Sequence, residues 1–112
     1  MHSIKLITLH CHVSDEDGLD EVYLKYDKKQ IWPDNGKIKT IPLGETPLNI
    51  SIEDPPKGDS IEIELWDKDL ISSDDKLGVF TLVLDQFGGG YVTDMKRINS
   101  KVASYELIWE YY

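Results

Sequence analysis

An antiparallel β-sandwich of about eight strands is the fold class this sequence predicts, on three observations. Wherever a hydropathy pattern exists its period is two, β-branched and aromatic residues fill the apolar positions, and turn clusters recur at intervals of roughly 8–12 residues. Helix signals are nearly absent. With 112 residues the chain can hold one core, since a chain of this size buries about two thirds of its unfolded surface. Its 40% hydrophobic and 10% aromatic residues are the composition of a folded protein. No repeat or linker divides it, so 1–112 is expected to be a single domain.

The elements follow in order. Ser3 to Val13 sets Ile4, Leu6, Thr8 and His10 against Lys5, Ile7, Leu9, Cys11 and Val13, a first strand with Cys11 as a small buried residue. Ser14 to Asp20 is an acidic turn-rich loop, after which Val22, Leu24 and Tyr26 share one side of a second strand. Asp34-Asn35-Gly36 contains the Asn-Gly pair that tolerates positive φ, so Gln30–Pro33 and Lys37–Ile41 are expected to flank a short hairpin. Leu48 to Ile52 alternates until Asp54-Pro55-Pro56 breaks it, because proline cannot donate to a ladder. Ser60 to Trp66 points Ile61, Ile63 and Leu65 inward and Glu62 and Glu64 outward, and Leu77 to Leu84, the most apolar segment, reads as a central strand. A glycine-rich turn covers Gln86 to Gly90, Tyr91 to Ser100 is the least legible stretch, and Ala103 to Tyr112 is a final alternating strand.

Charge excludes several functions. The chain carries 21 Asp+Glu against 12 Lys+Arg, a formal net charge of -9. Nucleic-acid binding needs a basic stripe, and no cationic run exceeds Lys28-Lys29, so neither nucleic acid nor simple polybasic attraction to anionic lipid is expected. The lone Cys11 closes no intrachain disulfide. No apolar run approaches the ~18 residues that a spanning helix needs, and the N-terminus carries no secretory leader pattern, so the chain is expected to be soluble. Catalysis is not expected either. A small sandwich leaves little room for a substrate cleft, no nucleophilic triad has recognisable context, and Gly88-Gly89-Gly90 lacks the Lys-Ser/Thr of a phosphate loop.

The informative spacing is in the acidic loops. Asp67, Asp69, Asp74 and Asp75 fall within nine residues between two strands, where mutual repulsion leaves oxygen ligands facing solvent. Calcium, which takes six to eight oxygens, is the natural partner, whereas magnesium wants a stricter octahedron. An EF-hand is excluded, because its Gly at the sixth and Glu at the twelfth position correspond to Ser72 and Gly78 counting from Asp67. Asp15, Glu16, Asp17, Asp20 and Glu21 form a second cluster. Loops of a sandwich alternate between its ends, so the two clusters are expected to meet at one. His10 and His12, two apart on one strand face, would suit a soft metal only if a third ligand approached.

Asp67-x-Asp69-x5-Asp75-x-x-Gly78, after the strand ending at Trp66, resembles the third calcium-binding loop of C2 domains. Asp20-Glu21-Val22-Tyr23-Leu24-Lys25 is similar to the segment after their first loop, with proline missing. The resemblance implies a Greek-key sandwich and, with one strand before the first loop and an extra C-terminal one, the permuted (type II) topology. It also implies calcium ligation by Asp67, Asp69 and Asp75, with further oxygens from Ser72 and the Lys68 carbonyl, and by Asp15 and Asp20. Glu21 competes with Asp20 for that role and Asp17 with Asp15. The family's use of such a pole implies calcium-dependent docking on phospholipid membranes, with Leu19, Leu70 and Ile71 as aliphatics placed to enter the acyl boundary. The alternative is a protein-interaction or structural module in which calcium only rigidifies the loops or the site is vestigial.

Overall fold

The computed structural model describes residues 2–15, 19–34, 36–55, 60–69, 73–85, 88–98 and 101–112. Its strands are β1 (Ser3–Val13), β2 (Asp20–Tyr26), β3 (Lys29–Trp32), β4 (Lys39–Ile41), β5 (Gly44–Glu53), β6 (Ser60–Asp67), β7 (Asp75–Val83), β8 (Gly89–Asp94), β9 (Lys96–Arg97) and β10 (Ser104–Tyr111). The pairings are antiparallel, and no helix occurs among the described residues. One sheet runs β5-β1-β10-β8, and the other runs β3-β2-β6-β7-β9 with β4 also on β2. The two sheets form the expected sandwich. Ten segments stand where about eight are expected, because the illegible stretch from Tyr91 yields the end of β8 and the short β9.

The core lies between the sheets. It takes Val22 and Leu24 from β2, Ile61, Ile63 and Leu65 from β6, and Leu77, Phe80 and Leu82 from β7, against Tyr105, Leu107, Trp109 and Tyr111 from β10. In β1 the register slips between Leu6 and Thr8 against both neighbours. That bulge exchanges the strand's faces, so the buried set is Ile4, Leu6, Leu9 and Cys11. Neither alternating set of the sequence could predict it.

Two expectations need correction. Gln30–Pro33 and Lys37–Ile41 do not pair with each other: β3 and β4 both add to β2, one after the other, with the intervening residues looping outward. The two-residue turn lies earlier, at Asp27-Lys28, where both residues have positive φ (51° and 67°) and Tyr26 opposes Lys29. The Leu77–Leu84 segment is not central, since β7 has β6 along its whole length on one side and only the two residues of β9 on the other. Its apolar character reaches the outward face instead, where Val83 is 53% exposed.

Chain direction then assembles one pole. β1 ends and β2 begins there, β6 ends where Val22 opposes Asp67, and β7 begins opposite Asp67 at Asp75. β10 starts opposite Val13, and β5 starts opposite Cys11. The connections 14–19, 42–43, 68–74 and 98–103 therefore share this pole. An 11-residue strand such as β1 spans about 36 Å, which only the longest dimension of a 42 × 25 × 25 Å body accommodates. The pole is consequently at one tip of the long axis.

Candidate functional site

The two acidic loops meet at this tip, joined first by backbone. The amide of Glu21 donates to an Asp67 carboxylate oxygen at 3.1 Å, and the amide of Lys68 donates to the Glu21 carbonyl at 2.8 Å. Asp20 and Asp67 lie on the inward face of their strands, with 0% and 3% exposure, and carboxylates so placed must be hydrogen-bonded. Asp20 accepts the Asp15 amide at 3.1 and 2.9 Å on its two oxygens and the Tyr105 hydroxyl at 2.6 Å. Burial raises the Tyr105 phenol, and the adjoining Asp20 carboxylate adds to the effect. Tyr105 thus stays a donor at any ordinary pH.

A third connection completes the tip. The Val102 amide donates to Asp15 Oδ1 at 3.1 Å, and the Lys101 ammonium lies 3.6 Å from Asp15 Oδ2 and 3.4 Å from Asp75 Oδ2. Burial alone would lower the Lys101 amine, but Asp15 and Asp75 outweigh it and raise it. One cation therefore already bridges carboxylates from the two acidic loops. Asp74 turns the other way: it accepts the Tyr23 hydroxyl at 2.6 Å and the Asp69 amide at 3.0 Å, with Lys68 Nζ at 3.8 Å.

Of the residues singled out in the sequence, Asp15, Asp20, Asp67, Asp69 and Asp75 are brought to this tip, and Lys68 joins it through its backbone. Glu21 is exposed and meets Asp67 with its amide, while Asp20 holds the inward position. Ser72, Leu70, Ile71 and the competing Asp17 lie outside the described residues. Leu19 stands 51% exposed at the tip. Around it are three aliphatics that sequence reasoning missed, Val13, Leu43 and Val102, 46%, 66% and 54% exposed. Each occurs singly in the sequence, so only the convergence of the connections reveals them. Lys101 was equally invisible, a single lysine in the least legible region. On the outer face of the β2-β6 sheet, Lys25, Lys28, Lys37 and Lys68 surround a cavity of about 290 Å³ with Tyr23 and Asp74, a local basic patch that no run of adjacent residues announces.

No family model matches the sequence, and no curated protein does. Solved structures do match. A C2 domain of plant extended synaptotagmin 1, the first of that protein's series, superposes with a TM-score of 0.60 at 16% identity, over 98% of this chain and 92% of that chain. Another C2 domain gives 0.59 at 13% identity, over 98% and 96%. The chain has the C2 domain fold. At these identities the likeness is one of fold, and what the tip does follows from its own residues.

Proposed function

We propose that this module binds calcium at the tip and docks, with the ion bound, on an anionic phospholipid surface. The observation that carries the reading is the Lys101 ammonium held between Asp15 and Asp75: the carboxylates of both loops are placed to share a cation. The donors fit calcium, being hard oxygens on loops anchored by strands, and Asp15, Asp20, Asp67, Asp69 and Asp75 would hold the ion with Ser72 and the Lys68 carbonyl. Bound calcium supplies a double positive charge where carboxylates are densest. Val13, Leu19, Leu43 and Val102 ring the same tip, together with Leu70 and Ile71 of the third loop. Burying one such aliphatic in the acyl boundary contributes roughly 1.5–3 kcal/mol. The lysines around the cavity beside Tyr23 offset part of the acidic surface on that flank. This makes the chain a binding module rather than an enzyme, and a peripheral rather than a spanning one; no helix among the described residues is long and apolar enough to cross a membrane.

Lys101 also favours a second reading, in which the tip is closed by its own cation and binds a protein partner without calcium. Sedimentation with phosphatidylserine-containing liposomes separates the two. Binding with calcium, its loss in chelator, and its loss in Leu43→Ser or Leu70→Ser/Ile71→Ser support membrane docking. Sedimentation indifferent to calcium, or none at all, rejects it.

A further inference from the structure

We propose that the outer face of the β5-β1-β10-β8 sheet carries a second metal site, for a divalent transition ion of the zinc class, made by His10, His12 and Glu106. The third ligand that His10 and His12 need comes from the neighbouring strand: Glu106 of β10 lies directly opposite His10 of β1. His12 falls in a second register slip, between Cys11 and Val13. Side chains two residues apart on a regular strand stand about 6.6 Å apart, yet the two imidazole rings are stacked with centroids 4.2 Å apart. The slip brings His12 onto Glu106, whose carboxylate its Nε2 contacts. Bulges commonly re-aim a side chain in this way.

One ligand atom from each of the three residues lies within 4.8 Å of the others. Ligand atoms around a tetrahedral zinc ion, at 2.0–2.2 Å from the metal, stand about 3.4 Å apart, so small side-chain rotations close the difference. The strands that carry them are the two inner strands of their sheet, which fixes the spacing better than loops could. The row continues with Glu45 opposite His10 and Asp94 opposite Glu106, so carboxylates flank the imidazoles on both sides and favour a cation. The hydrogen bond to His12 also holds the Glu106 carboxyl below the usual range, so it is ionised and able to ligate. Two imidazoles and a carboxylate suit zinc, copper or nickel, whereas the all-oxygen tip suits calcium. The two sites are therefore chemically separate. His12 is exposed, so the fourth coordination position faces outward, open to water or to a donor from another molecule.

Titration calorimetry of the metal-free full chain with zinc chloride is the test, with cobalt(II) absorption as a reporter of geometry. The expected result is one ion per chain, intense visible bands of four-coordinate cobalt, and affinity lowered about tenfold or more in His12→Asn and in Glu106→Gln, the least that loss of even an outer partner costs. His2→Asn should match the parent, since His2 packs by Tyr111 at the far end of β1. Far-ultraviolet circular dichroism checks that each exposed-site variant folds. Absence of zinc binding, binding that survives both ligand substitutions, or zinc displaced by millimolar calcium would each overturn the proposal.

Discussion

A methyl group at position 78 would have no room: a Cβ there falls 2.5 Å from the Lys96 carbonyl oxygen and 2.6 Å from Met95 Cγ. Gly78 thus lets β7 lie against the segment that crosses from one sheet to the other, and Gly78→Ala is expected to cost about 1–3 kcal/mol in chemical denaturation. Adding Met95→Ala should not restore the loss, because the backbone oxygen remains. Tyr23 and Asp74 give a pH signature. The Tyr23 hydroxyl first, then the Asp69 amide, holds the Asp74 carboxyl below its ordinary 3.8. A lowered folded value means stability that is present above the ordinary value and lost as pH falls through the folded one. Tyr23→Phe should therefore flatten the decline of melting temperature with acid between neutral pH and pH 2. At this scale the spacing of Asp67, Asp69 and Asp75 was legible, since like charges in one loop need a reason. Lys101 was not, because its meaning depends on a neighbour 86 positions earlier in the chain, Asp15, and on Asp75.

Elements with unbroken alternation, such as β6 and β10, were legible because a period of two leaves one solution for the buried face. β1 was half legible: its length was clear, but the slip at Leu6/Thr8 converts two mixed faces into one apolar one. The Asn-Gly signal at Asn35-Gly36 misled for a related reason. A hairpin needs partners as well as a turn, and β2 offers its edge to both flanking segments. The tight turn falls instead on Asp27-Lys28, residues with no strong preference for positive φ, and each non-glycine residue held there costs about 1–2 kcal/mol. Asp27→Asn/Lys28→Gly is accordingly expected to raise stability by up to about 1 kcal/mol, visible as a few degrees in a thermal melt.

For the whole molecule, the decisive question is what calcium does to a tip that already holds an ammonium. Ligand binding to the native state alone stabilises by RT ln(1 + [L]/Kd), about 2.7 kcal/mol at a hundredfold excess. Scanning calorimetry should show a clear calcium-dependent rise in melting temperature that Asp69→Asn abolishes. Lys101→Met should melt lower than the parent without calcium, with Asp15 and Asp75 left uncompensated, and gain more on calcium addition. An unchanged melting temperature in both would reject the calcium reading. The strand arrangement has a consequence at this scale as well. β5 runs along one margin of its sheet with Pro47, which lacks a donor, and with Asn49 at φ 57°. The other sheet's margins are the interrupted pair β3 and β4 and the two-residue β9. Three of the four lateral margins thus offer a newcomer no continuous row of donors and acceptors. Copies crowded side by side on a two-dimensional surface have little to zip together, so high local density need not end in fibres.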